Sequence, residues 1–392
     1  MHRPVVDSPR SWLLVGVAFT AMFVAVGTGY AYGALLLHLV DDLGIGPGTA
    51  SGVFALTVFV FFLAGAPAGM LADRDGPRRV LLLGAAATAG GLLLTSTAPA
   101  APLLFVGHGL LLGAGMATTF VPLLAVVAGA FDRYRTVAMG VAVSGIGVGT
   151  LVMAPLVAWL IDRLAWRPAY AVLAAASFVV LGLCAAVVPG ARPSAERRRG
   201  GSTTRLEAFL DSDYRLLYGA QLLLAVALFI PFALLPAFAQ SRGVAPVPAA
   251  GLVGALGLAS VVGRLVLGAV ADRVGVLTTY RGCYLVVGVS FALWLLSGAG
   301  YTELLAFAVL FGVGYGGFVA LLPSVVAERF GLAGFGALVG ILYSANAVGA
   351  AVGPWVAGAL VDRYGYTPAA LIGVGCGLTA FAVLARVRPA YP

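Results

Sequence analysis

The sequence predicts an all-α membrane protein: twelve transmembrane helices in two pseudo-symmetric six-helix bundles. Three observations predict it. The 392 residues are 61% hydrophobic and only 10% charged, with a mean hydropathy of +1.04, whereas soluble domains carry roughly a quarter charged residues. Apolar runs of about 20 residues, the length that spans a bilayer, recur along the whole chain. A long-period echo joins the two halves: Gly69-Met-Leu-Ala-Asp73-Arg74-Asp-Gly76 returns 199 residues later as Gly268-Ala-Val-Ala-Asp272-Arg273-Val-Gly275.

Taken in order, apolar runs lie at about 12–40, 48–72, 79–97, 101–130, 136–161 and 167–188. A polar segment follows, with Pro193 and Arg197-Arg198-Arg199. Six more runs lie at about 214–240, 247–271, 279–298, 302–327, 335–361 and 366–386. The division is an N-terminal bundle over 1–188, a linker over 189–213 and a C-terminal bundle over 214–392. The linker reads as a cytoplasmic tether, with at most a short interfacial helix at 204–213. The first run is too long for a signal-peptide core, and no small-residue cleavage site follows it. The 54 glycines suit close helix–helix contact in lipid.

Every one of the 23 basic residues is arginine. With the N-terminus inside, eighteen arginines fall in cytoplasmic segments and four (Arg163, Arg167, Arg242, Arg363) outside; Arg264 is the remaining one. That asymmetry predicts cytoplasmic termini and an even number of spans. It also accounts for the net charge of +8 without a nucleic-acid partner. Cys184, Cys283 and Cys376 lie in or beside apolar runs, with no metal-ligand or disulfide spacing, and read as small core hydrophobes.

The echo extends beyond one motif. Gly113 and Gly115 return as Gly312 and Gly314, and Pro155 as Pro354. One residue out of step, Gly140, Ser144 and Gly149 return as Gly340, Ser344 and Gly349. A repeat of six spans has parallel copies related by an axis along the membrane normal, which predicts a central cavity between two halves.

The Gly69–Arg79 stretch resembles the signature loop of the major facilitator superfamily, between its second and third helices. Gly145-Ile-Gly147-Val-Gly149 through Pro155 resembles its glycine-rich fifth-helix motif. Within that superfamily the chain looks most like the monocarboxylate transporter and oxalate/formate antiporter branch. Gly29-Tyr30-Ala31-Tyr32-Gly33 resembles that branch's first-helix segment, Arg264 falls at its eighth-helix arginine, and Gly312-Val-Gly-Tyr315-Gly316 resembles its tenth-helix stretch. There are departures. Ser260 stands where the branch has an eighth-helix aspartate, Ala34 falls near a first-helix lysine, and no lysine exists for the eleventh helix. The resemblance implies a gate in which Gly69, Asp73, Arg74, Gly76 and Arg78, with Asp272 and Arg273 in the echo, hold the cytoplasmic side closed. Asp73 would face the N-terminus of the eleventh helix, near Gly334, where the helix dipole favours a carboxylate.

Arg264 lies eight residues before Asp272, about 12 Å along a helix, too deep to snorkel cleanly to water. An arginine at mid-membrane costs from about 2.5 to over 10 kcal/mol. All fifteen acidic residues fall in loops or at helix ends. The charge at that depth is therefore met either by a transported anion or by backbone carbonyls. Candidate polar neighbours are Tyr30 and Tyr32 in the first span, Thr118 and Thr119 in the fourth, Gln221 in the seventh, Ser260 in the eighth, Tyr315 in the tenth and Asn346 in the eleventh. Singly, such groups more often bond helix to helix. His38 and His108, both read toward the outer interface, are the candidates for carrying a proton.

The expected function is secondary active or facilitative transport of a small organic anion, monocarboxylate-like, by alternating access. Arg264 is the expected ligand, with Tyr30, Tyr32, Thr118, Ser260, Tyr315 and Asn346 around it. The expected setting is the plasma or inner membrane, with a monomer as the working unit, protons as a candidate second partner, and no cofactor or metal. Efflux of a lipophilic compound and a non-transporting receptor are the alternatives. No nucleophile–base pair or metal cluster points to an enzyme.

Overall fold

Hydrocarbon offers backbone groups no water to bond, so a chain that crosses it must satisfy them within helices or a closed barrel. This chain uses helices. A computed structural model describes residues 7–190, 210–296, 300–332 and 334–388, and every regular element among them is helical. The greater part of the linker, with its arginine run and residues 204–209 of the interfacial stretch, lies outside the described residues.

Eleven helices among the described residues are long and apolar enough to span a membrane. They are α1 (Pro9–Leu36), α3 (Pro77–Ser96), α4 (Ala101–Ala130), α5 (Arg135–Leu164), α6 (Trp166–Val187), α7 (Ser212–Phe232), α8 (Gly251–Val274), α9 (Val276–Leu296), α10 (Tyr301–Phe330), α11 (Phe335–Val361) and α12 (Thr367–Leu384). The twelfth span, α2, is the pair Thr49–Leu63 and Gly65–Asp75, bent by 41° at their junction. All twelve coincide with the predicted apolar runs. Prolines open several helices, at Pro9, Pro47, Pro77 and Pro246, where a missing N–H leaves nothing unbonded.

The echo is visible in the backbone. Helix α1 breaks after Tyr30 and resumes over Gly33–Leu43. Helix α7 breaks at Phe229, 199 residues on, and resumes over Ile230–Ser241. The repeated Asp-Arg loops end alike, with Gly76 at φ 93° and Gly275 at φ 99°, a left-handed turn that glycine adopts without strain. The symmetry has two clear exceptions. Helix α2 breaks at Ala64, whereas α8 runs unbroken through the equivalent Gly263. Residues Phe105–Leu112 of α4 form π-helical turns, whereas α10 is α-helical from Tyr301 to Phe330.

The chain groups into two compact units, Met1–Arg205 with Gly331–Ser344, and Leu206–Phe330 with Ala345–Pro392. The first turns of α11 thus belong to the first unit. Small residues set the crossings inside each. In the first, Gly145 and Gly149 of α5 lie so close to α1 that a Cβ would overlap the carbonyls of Phe19 and Phe23; in the second, Gly349 and Gly353 of α11 meet Ala225 and Val226 of α7 in the same way. Helices α8 and α10 interlock through Gly263, Gly312 and Gly316.

Polar ties hold the helix ends within each unit. In the first, the Asp42 carboxylate accepts from Trp166 Nε1 at 3.2 Å and from Arg167 at 3.0 Å, and Arg167 also donates to the carbonyls of Ser96 and Ala98. At the opposite end Asp7 accepts from the backbone N–H groups of Asp132, Arg133 and Tyr134. In the second, Arg329 donates through Nε to the buried Asp213 carboxylate at 3.1 Å.

The α8–α10 crossing gives a direct test. Replacing Gly316 with Ala pushes a methyl into the Ser260 carbonyl, and overpacking of this kind costs about 1–3 kcal/mol. Gly316→Ala is expected to lower the melting temperature in detergent, while Gly254→Ala, where a Cβ meets open space, leaves it unchanged.

Candidate functional site

The second unit holds Arg264. It is 3% exposed, although it lies deep in a helix whose outer face is apolar: Leu258, Val262, Leu265 and Val266 on α8 are 44–57% exposed. Those four repeat at helical spacing and mark the lipid side. Arg264 and Ser260 share the opposite face, which is buried in protein. One turn before Arg264, the Ser260 carbonyl meets Gly316 of α10, the residue after Tyr315. Tyr315 is itself held among aromatic rings, edge-on to Phe232 at 5.8 Å and stacked on Phe311 at 6.4 Å. Two of the predicted residues, Arg264 and Tyr315, are thus brought together. Ser260 bonds its own helix, donating to the Gly257 carbonyl at 2.8 Å.

Asn346 of α11 belongs to a different group in this unit. Its Oδ1 accepts from Gln221 Nε2 at 2.9 Å, and Gln221 Oε1 accepts from the hydroxyls of Tyr280 and Tyr284 on α9. All four side chains are buried. Tyr280 and Tyr284 were not foreseen; two tyrosines one turn apart in an apolar span are the signal for them.

The first unit holds the remaining candidates. Tyr30 is half-buried at the α1 break, edge-on to Phe54 at 5.6 Å. Tyr32 is 1% exposed and donates to the Ala50 carbonyl at 2.8 Å. The Thr118 hydroxyl donates to the Gly115 carbonyl at 2.6 Å and fills the space over Gly84 of α3. Thr119 likewise bonds back to its own helix, at Met116.

The two histidines part company. His38 is exposed, as an interfacial residue should be, with Nδ1 3.2 Å from the Ala34 carbonyl. His108 is buried in the protein. It is 0% exposed, on the π-helical turns of α4, and its Nδ1 lies 2.8 Å from Thr57 Oγ1 on α2. With the single Thr57 proton on the Val53 carbonyl, 2.9 Å away, Thr57 accepts from His108 Nδ1–H. The tautomer is thereby set, and Nε2 carries the lone pair. That nitrogen has no hydrogen-bond partner among the described residues, and neither has the hydroxyl of Tyr170, whose ring centroid is 6.5 Å away. Tyr32 packs edge-on against the imidazole at 4.5 Å.

Of the loop residues, Arg74, Arg78, Asp272 and Arg273 are exposed. Arg74 pairs with its neighbour Asp75 at 3.4 Å. Asp73 is partly buried, with one carboxylate oxygen shielded from solvent. Gly69 and Gly65 lie in backbone contact with Gly336 and Gly340 of α11, inside the first unit. Just beyond, Tyr343 packs between Phe62 of α2 and Phe120 of α4. The expected meeting of the signature helix with the start of the eleventh is therefore present.

Among the described residues no group of histidine, cysteine and carboxylate side chains could hold a metal ion. Cys184 and Cys283 are buried and Cys376 is half-buried, all as thiols.

Comparison with known proteins agrees with these features. The sequence pattern of the Major Facilitator Superfamily matches residues 17–302 and 217–392. Monocarboxylate transporter 13 of Rattus norvegicus is 29% identical over 377 residues, covering 95% of this chain and 88% of that one. An MFS-type transporter 1 of an Ophiocordyceps species is 28% identical, covering 94% and 82%. In fold, the E. coli fucose:proton symporter FucP superposes with a TM-score of 0.77 at 14% identity over 97% of this chain and all of its own. The human organic anion transporter MFSD10 does so with 0.73 at 18% identity, over 96% and 100%. With twelve apolar spans, a repeated Asp-Arg loop and glycine-packed crossings beside this match, the chain belongs to the Major Facilitator Superfamily and is an integral membrane transporter of small molecules, not an enzyme.

Proposed function

We propose that this transporter carries a small organic anion of the monocarboxylate kind, and that Arg264 binds the carboxylate. The observation that carries the reading is the placement of that guanidinium: nearly buried, on the protein-facing side of α8, one turn past the crossing with α10 beside Tyr315. An arginine fork matches a carboxylate with two parallel charge-assisted bonds, and a charge at this depth marks a substrate path more often than a structural role. The names of several relatives, monocarboxylate transporters from rat and cattle among them, support the same class. Tyr315 and Asn346 shape the site within the second unit. Both termini are cytoplasmic, in the plasma or inner membrane, and the monomer is the working unit. Transport proceeds by alternating access.

The test is uptake of labelled pyruvate and related monocarboxylates into proteoliposomes. Arg264→Lys keeps the charge but loses the fork; with charge-assisted bonds worth about 1.5–3 kcal/mol, uptake is expected to fall about tenfold or more. Arg264→Ala is expected to abolish it. Unchanged transport by Arg264→Ala removes the anion site from this residue.

Proton coupling is assigned to His108, whose Nε2 lone pair is the acceptor. A charge on a fully buried ring is costly, so protonation there must coincide with a change in its surroundings, as coupling requires. His108→Gln is expected to abolish uptake driven by a pH gradient while leaving substrate exchange intact, and His38→Gln to leave both. Loss of gradient-driven uptake in His38→Gln alone would move the role to the exposed ring.

The Gly65/Gly69 contact with Gly336/Gly340 is the cytoplasmic gate, with Asp73 beside it. A larger residue there separates α2 from α11. Gly69→Val is expected to slow transport several-fold without changing the equilibrium affinity for substrate measured by thermal shift; a matching loss of affinity would show that this crossing shapes the binding site instead.

A further inference from the structure

A chain of four polar side chains crosses the interior of the second unit, and its direction decides what Asn346 offers. The far end lies on α9. There Tyr280 and Tyr284 stand one turn apart with hydroxyl oxygens 2.9 Å from each other, and these lie 3.2 and 3.0 Å from Gln221 Oε1. A carbonyl oxygen only accepts, so the phenols donate to it, and the amide's other end only donates. Gln221 Nε2 does so to Asn346 Oδ1 at 2.9 Å. The acceptor of Asn346 is thus occupied, and its two Nδ2 hydrogens point away from the chain. Gln221, Tyr280 and Tyr284 are fully buried and Asn346 is 3% exposed. Bonds in series at low dielectric polarise one another in the same sense, which strengthens the donor at the end.

We infer that Gln221, Tyr280 and Tyr284 are positioning residues, which hold Asn346 so that it presents only N–H groups. The subsite they make accepts a carboxylate oxygen and rejects an N–H group at the same point, adding selectivity to the charge of Arg264. The identity of the ligand rests on the anion reading proposed above; the direction of the chain does not. The reverse orientation of both amides is also a connected chain, and it presents Asn346 Oδ1 instead.

Carboxyl substitutions separate the two directions without any ligand. In the direction inferred here, an ionised Gln221→Glu has no donor for Asn346 Oδ1, whereas Asn346→Asp keeps the oxygen that Gln221 needs. At neutral pH Gln221→Glu is therefore expected to melt well below Asn346→Asp in detergent. It is expected to recover as the pH falls, because a protonated glutamate restores a donor. A Gln221→Glu protein that melts near the wild type at neutral pH, beside a strongly destabilised Asn346→Asp, reverses the chain and overturns the inference.

Binding of pyruvate and pyruvamide, by thermal shift, tests the ligand side. Asn346→Asp is expected to lose about tenfold or more in pyruvate affinity. Tyr284→Phe is expected to narrow the preference for pyruvate over its amide. Equal weakening of both ligands by Tyr284→Phe would make the network merely structural. A wild-type protein with the expected melting order but no affinity for pyruvate, acetate or lactate would refute the anion reading and leave the direction standing.

Discussion

Oil around the chain is the constraint on which everything else depends. With no solvent to bond them, backbone groups are committed to their own helices. Helix association then gains little from hydrophobicity and rests on close packing. The α8–α10 and α1–α5 crossings show the outcome: glycines meet carbonyls of the neighbouring helix with no room for a methyl group. The same device recurs in α5 and α11, where Gly149 and its counterpart Gly349 each meet the first helix of their own half, which helps two halves of such different side-chain content keep one backbone plan.

The same constraint sorts the polar side chains by what they can bond. Ser144, Ser260, Ser290, Thr118 and Thr119 each return their hydroxyl to a carbonyl three residues back, which closes the accounting within one helix. Longer amides and phenols cannot do this. Gln221, Asn346, Tyr280 and Tyr284 solve the problem together, across three helices. Arg264 takes a third course, turned from the lipid face toward Tyr315. The three solutions rise in cost, from a bond closed within one helix to a charge held deep among helices.

The spans, their number and the place of Arg264 on α8 were legible in the sequence, because hydropathy and the 199-residue echo report directly on a bilayer-sized helix and on its repeat. The bend in α2 had no such mark beyond a glycine and alanine run around Ala64. The amide–phenol network was illegible for a different reason. Its partners lie 59 to 125 residues apart, and nothing in a single sequence says which faces of α7, α9 and α11 meet. The burial of His108 was not legible either. The π-helical turns over Phe105–Leu112 change which way that ring points, and composition carries no sign of them.

Where the two copies of the repeat disagree is more telling than where they agree. Counting 199 residues on from Gly65 reaches Arg264, and from Gly69 reaches Gly268. In the first copy Gly65 packs beside Gly340, where a Cβ on Gly340 would overlap Ala66 and Gly65. In the second copy the position equivalent to Gly65 carries the largest cation available. The π-helical turns of α4 are a second such disagreement, since α10 lacks them, and they carry His108. Arg264 in the second unit and the π-helical turns that carry His108 in the first are thus places where the repeat has diverged in chemistry as well as in packing.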